Sequence, residues 1–205
     1  MAYLYDVFIS YRRDTLTRQW ILDQFVPLLE HHVNLELGRV PTIFIDEQLE
    51  HGTTWPIALG IALGSSRTII PLWSRNFLAS VWCTCEIGEM LEREKAYGYR
   101  TLERPQGLVF PTVIHDGETM PVALKSINTV VEIQECFNVR MAVNSPKAEM
   151  LDDRLAPLGK VIADAIRNAP LWQENWNVTA VGAFVDRFHN KEQSAQTSPP
   201  KFSNS

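Results

Sequence analysis

Five short runs of β-branched and aromatic residues punctuate the chain: Tyr5–Ser10, Thr42–Asp46, Arg67–Trp73, Leu108–His115 and Asn128–Ile133. Several are nearly continuously apolar, the pattern of strands covered on both faces in a parallel sheet. Between them the spacing turns helical. Thr17–His32 carries Trp20, Ile21, Gln24, Phe25, Leu28 and Leu29 at i, i+3, i+4 intervals. Pro56–Leu63 reads as a short helix of small residues. Ser80–Tyr97 aligns Cys83, Ile87, Met90 and Leu91 on one side and turns Glu89, Glu92 and Arg93 largely elsewhere. Pro121–Ser126 fits one turn, and Asp152–Asn168 fits another amphipathic helix, started or kinked by Pro157 and ended by Pro170.

Strand and helix alternate, so the expected class is α/β: a five-stranded parallel sheet of order 2-1-3-4-5 with helices on both faces. Residues 171–189, rich in aromatics, should pack as a C-terminal helix or cap. Residues 190–205, polar and containing Pro199-Pro200, read as a disordered tail. The division is therefore 1–135 for the core, 136–189 for its C-terminal part with a helical extension, and 190–205 for the tail.

In open α/β sheets ligands bind beyond the carboxyl ends of the strands, where strand order reverses. For order 2-1-3-4-5 that crevice lies between strands 1 and 3. Tyr11-Arg12-Arg13-Asp14 follows strand 1, and the segment from Ser74 to Trp82 leads from strand 3 into the helix holding Glu86. An arginine pair, an aromatic ring and a carboxylate converge, a set suited to a dinucleotide: cations for pyrophosphate, a ring for stacking, an acid for ribose hydroxyls. Trp82 and Glu86 share a helix face, and Ser80 can cap that helix. The alternative is a solvated glutamate on an ordinary surface helix.

Composition narrows the partners. The formal net charge of -5 over 205 residues argues against nucleic acid or an anionic membrane, whose recognition needs a basic excess. Cys83, Cys85 and Cys136 make a poor disulfide framework and suit a reducing compartment. Cys83-x-Cys85 without a nearby histidine is a poor zinc signature, so no metal is expected. Cys83 is read as core and Cys85 as bordering the pocket. His31-His32 is read as a helix C-terminus and His115-Asp116 as a turn. Gly60 and Gly64 lack phosphate-fingerprint spacing and are read as packing or capping glycines. With no basic leader before an apolar run and no apolar stretch long enough to span a bilayer, the expected location is cytoplasmic.

Tyr5-Asp6-Val7-Phe8-Ile9-Ser10-Tyr11, then Phe44-Ile45-Asp46 with Leu49 and Gly52, then Leu59, Ala62-Leu63 and Ser65-Ser66, and finally Ser80-Val81-Trp82-Cys83-Thr84-Cys85-Glu86 occur in order. Together they resemble a TIR (Toll/interleukin-1 receptor) domain of the bacterial or plant kind, from about Tyr5 to Ile133. The last segment fits the family's S-x-W-C-x-x-E. The resemblance implies a flavodoxin-like fold. It also implies cleavage of NAD, as substrate rather than cofactor, into nicotinamide and ADP-ribose or a cyclic ADP-ribose isomer. Glu86 would be the catalytic residue and Trp82 would border its pocket. Phe8, Ser10, Tyr11 and Arg12 would line the nucleotide side, with Asp46 opening the BB loop, Asp46 to Thr54.

Self-association through TIR–TIR contacts that include the BB loop is implied as well. A chain of this length resembles Thoeris-type antiphage components, whose nucleotide product a separate effector reads. The competing functions are a non-catalytic TIR scaffold or adaptor, an effector acting on host signalling, and an ADP-ribosyl or nucleoside transferase.

Overall fold

A computed structural model describes residues 2–45, 55–125, 127, 131–142 and 144–196. The elements run β1 (Tyr5–Tyr11), α1 (Thr15–Trp20), a π-helical turn (Ile21–Phe25), α2 (Val26–Leu37), β2 (Ile43–Ile45), α3 (Trp55–Gly64), β3 (Ser66–Trp73), α4 (Val81–Ala96), β4 (Thr112–Val113), α5 (Val122–Lys125), β5 (Val131–Glu132), α6 (Pro146–Arg167) and α7 (Asn175–Gln196). The five strands form one sheet of order β2-β1-β3-β4-β5, and every adjacent pair is parallel. This is the doubly wound sheet that the apolar runs predict.

Alternation along β1 sorts the two layers. Val7, Ile9 and Tyr11 join a cluster with Trp20, Phe25, Leu29 and, from α6, Leu151, Leu155 and Ile162. Phe8 points the other way, into a cluster with Phe44, Leu59, Leu63, Cys85, Met90 and Phe184 of α7. The apolar side of α4 splits: Met90 enters this second cluster, while Cys83 and Ile87 join Trp73, Phe77 and Leu124.

The margin of the sheet is thinner than the Leu108–His115 run suggests. Ile69 exchanges backbone bonds with Leu108 and Phe110, and the Trp73 carbonyl accepts from Ile114. Pro71, on the same side of β3 between them, has no N–H to give. The Phe110 carbonyl takes the Thr112 hydroxyl instead, at 3.3 Å. Pro111 lacks a donor as well, so β4 shrinks to two residues flanked by one isolated bridge, Ile69 to Val109.

Several helix ends differ from expectation. Pro27 cannot donate into the turn before it, and the chain there winds as a π-helical turn, after which α2 continues to Leu37. His31-His32 is therefore interior to α2, not at its C-terminus; His32 Nε2 meets Asp152 of α6 at 2.7 Å. Helix α6 begins at Pro146, capped by Ser145, so Pro157 lies inside it rather than at its start. Helix α7 runs to Gln196, past residue 190: Lys191, Glu192 and Gln193 favour helix, and no proline intervenes before Pro199. Residues 197–205 lie outside the described residues.

Gly60 and Gly64 are packing glycines, as expected. A Cβ at Gly60 would lie 2.7 Å from Val181 Cα, and one at Gly64 would lie 2.8 Å from Asn177 Cα. The backbones of α3 and α7 thus touch where side chains are absent. At the opposite end of the sheet from the crevice, Asp6 is buried and held bidentately by Arg39 at 2.6 and 2.8 Å, with Thr42 N–H at 2.9 Å. Burial pushes the Asp6 carboxyl up, and the Arg39 and Thr42 bonds more than offset it, leaving it below its ordinary 3.8. Such a group contributes stability above its unfolded value and loses it as pH falls through the folded one. Arg39→Ala should therefore cost about 1–2 kcal/mol at neutral pH, since the arginine is half exposed. The gap should narrow as Asp6 takes up its proton, below about pH 4, in urea melts of both proteins.

Candidate active site

Helix α4 starts at the carboxyl side of β3. Ser80 caps it by accepting from the Cys83 N–H at 3.4 Å. In its second turn, Glu86 lies inward, 4% exposed. Ser10, at the C-terminal end of β1, donates its hydroxyl to Glu86 Oε2. The solvated-glutamate alternative is thereby excluded: the carboxylate is buried against the last residues of β1, at the point where strand order reverses.

The other expected site residues separate. Ser10 shares the α4 face of the sheet with Glu86. Tyr11, the next residue, is buried in the opposite layer beside Trp20 and Ile21. Phe8 is 1% exposed and stacked on Phe44 at 5.0 Å, so it supports the wall behind Ser10 and lines no open surface. Arg12, the residue after β1, is exposed at the crevice edge. Trp82 stacks on Phe184 of α7, centroids 5.8 Å apart and planes at 4°. Asp46 and the rest of the BB loop to Thr54 lie outside the described residues.

Cys83 and Cys85 are both buried. Burial, then the charge of Glu86, pushes the Cys83 thiol up to about 12; burial, then Glu89, pushes Cys85 up to about 11. Such thiols are neither nucleophiles nor ready metal ligands. Cys85 packs among Leu59, Met90 and Phe184, in the core between α4 and α7 rather than bordering a pocket. Among the described residues no group of histidine, cysteine and carboxylate side chains could hold a metal. His115 Nδ1 meets Asp116 at 2.8 Å in the expected turn, and Arg75 reaches the same aspartate at 3.4 Å.

Two charged residues that the sequence pattern turns outward or ignores are buried. Arg93 donates to the Ser66 carbonyl at 2.8 Å and lies 4.3 Å over the Trp176 ring. Burial pulls its guanidinium down to about 10. Glu94 accepts from the N–H groups of Leu108 and Val109 and from Arg100, whose Nε is at 2.6 Å. Both brace α4: Arg93 against the end of α3 and against α7, Glu94 against the approach to β4. The aromatic cluster at Trp172 and Trp176 was the available signal for Arg93, since a buried guanidinium seeks a ring face.

No helix among the described residues is long and apolar enough to cross a membrane. The family model described as TIR domain matches residues 7–134. Among solved structures, the chain is similar to the TIR domain of the Toll-related receptor TRR-2 from Hydra magnipapillata. The two are 19% identical, the match covers 62% of this chain and 83% of that one, and the TM-score is 0.45. It is also similar to the TIR domains of the activated Roq1 resistosome recognising the effector XopQ, again at 19% identity, over 90% of this chain and 99% of that one, with a TM-score of 0.38. The match to the family model spans more than half of the chain, from Val7 in β1 to just past β5, and this chain belongs to the TIR-domain family.

Proposed function

We propose that the chain cleaves the nicotinamide–ribose bond of NAD, with Glu86 as the catalytic carboxylate. The observation that carries this is the burial of an acid, bonded to Ser10, at the sheet's reversal point within the family's W-C-x-x-E segment. Nicotinamide is a cationic leaving group. The C1′–N bond breaks with its electron pair leaving on nicotinamide, which departs neutral and needs no acid. The sugar becomes oxocarbenium-like, as in glycoside hydrolysis. A carboxylate in a dry site stabilises that cation strongly, and Glu86 would also hold the ribose 2′ and 3′ hydroxyls. Water then gives ADP-ribose and a proton, or an atom of the same molecule closes a cyclic isomer.

Because Glu86 is covered, the site must open or be completed before substrate reaches it. TIR–TIR association that includes the segment Asp46 to Thr54 is the proposed means. Arg12, exposed at the crevice edge, suits the pyrophosphate. In the same proposal the protein acts in the cytoplasm as the signal producer of an antiphage system, its product passing to a separate effector. Purified protein incubated with NAD at low and high concentration, beside Glu86→Ala, should release nicotinamide more than proportionally at high concentration, with ADP-ribose or a cyclic isomer identified by mass spectrometry. No turnover in any assembly state would favour a scaffold. An ADP-ribosylated acceptor would favour a transferase.

A further inference from the structure

One buried hydroxyl connects the central strand to the candidate catalytic carboxylate. Strand β1 pairs with β2 on one side and β3 on the other, so it is laddered on both edges. Ser10 is its penultimate residue, 1% exposed, and its backbone position is fixed opposite Pro71. A serine hydroxyl carries a single hydrogen, and here it is given to Glu86 Oε2. A hydrogen bond to a carboxylate is charge-assisted, shorter and stronger than a neutral one. A competing acceptor is the Cys83 thiol, one turn before Glu86 and within reach of Ser10 and Ser80. Held protonated by its burial, that sulfur is a weak acceptor and does not draw the Ser10 hydrogen away from the carboxylate.

Alternation along β1 makes this arrangement specific to position 10. Position 9 and position 11 face the other layer, and position 8 is filled by a ring stacked on Phe44. No other β1 side chain of the α4 face near the carboxyl end is polar. Helix α4 is joined to the sheet at its far end by Arg93 and Glu94; Ser10 joins it at the catalytic end.

We propose that Ser10 is the positioning residue of this site: its hydroxyl fixes the orientation of the Glu86 carboxylate against the central strand, and it acts through Glu86 rather than on the substrate. The catalytic consequence rests on the NAD-cleavage reading; the bond itself does not. Two measurements separate them. Isotope-edited infrared difference spectra on protein labelled with carboxyl-13C glutamate, each taken against the corresponding Glu86→Gln protein, isolate the Glu86 carboxylate stretch without any turnover. The band should move in Ser10→Ala, return in Ser10→Thr, and fall between in Ser10→Cys, which keeps the size but donates weakly. Steady-state kinetics with NAD should show kcat lowered about 10–100-fold in Ser10→Ala, KM within about threefold, and the same Thr and Cys order. The cysteine variant carries the comparison if the extra methyl of threonine prevents folding. An unmoved band in Ser10→Ala, or a raised KM with kcat intact, overturns the positioning role and leaves NAD cleavage standing. A wild-type protein without turnover, whose Glu86 band still follows the Ser, Cys, Ala order, overturns NAD cleavage alone and supports the bond.

Discussion

Exchanging Glu86 for glutamine should end nicotinamide release, a fall of at least about 10³-fold, in a protein that melts no lower than the wild type. The two halves of that result have one cause. Glutamine keeps the shape of the side chain and an oxygen to accept the Ser10 hydroxyl. It removes the charge, and with it the stabilisation of a ribosyl cation. An ionised carboxylate that is 4% exposed carries a desolvation cost that an amide does not. Relief of even about 1 kcal/mol would raise Tm by roughly 2–4 °C for a chain of this size. Calorimetry and chromatographic assay of nicotinamide on the same preparation check both. Wild-type rates from folded Glu86→Gln would remove Glu86 from the mechanism, and a large loss of Tm would make it a structural acid.

Gly60→Leu should be the most damaging single change to stability outside the two main cores. Leucine is a better helix former than glycine, so propensity alone predicts a gain. Packing predicts the reverse, because the first carbon of any side chain at 60 meets Val181 backbone at 2.7 Å. Helix α7 would have to lift from α3, uncovering Leu59 and Leu63 and pulling Phe184 off Trp82. The expected cost is about 3 kcal/mol or more, or roughly 6–12 °C in Tm. Gly88, on α4, is the control: a Cβ there meets nothing within 4 Å, so Gly88→Ala should gain about 0.5–1 kcal/mol. If Gly60→Leu melts with Gly88→Ala, the helices do not meet as described. Since Trp82 lies one turn from Glu86, the loss of α7 should also lower turnover.

The sheet was legible because strands buried on both faces write continuous apolar runs, and its order followed from the alternation of strand and helix. Lengths were less legible. Nothing in LVFPTVIH marks which ladder bond Pro71, forty residues earlier, withholds. Helix ends hid for similar reasons: Pro27 was absorbed by a π-helical turn and Pro157 by the middle of α6, where tertiary packing of Leu151, Leu155 and Leu158 outweighs the lost bond. At the candidate site, the family segment and the apolar neighbours of Glu86 pointed to an inward carboxylate. Naming Ser10 and Tyr11 together did not respect the two-residue period of a strand, which sends Ser10 toward Glu86 and Tyr11 into the opposite layer. Arg93 and Glu94 escaped because charge on a helix is read as solvated and several of their partners are main-chain groups with no sequence signature, leaving the tryptophans near 176 as the signal for Arg93.

The two prolines at the sheet's margin have a mechanical consequence. Strands β2, β1 and β3 form a well-stitched plate, whereas the seam between β3 and β4 is short of donors at Pro71. Glu94 fastens α4 to the approach to β4, while Arg93 fastens the same helix to Ser66 at the start of β3, so α4 bridges the seam. The helix that carries Glu86 is thus the clasp of the sheet, holding in register a margin that its own backbone bonds secure only sparsely.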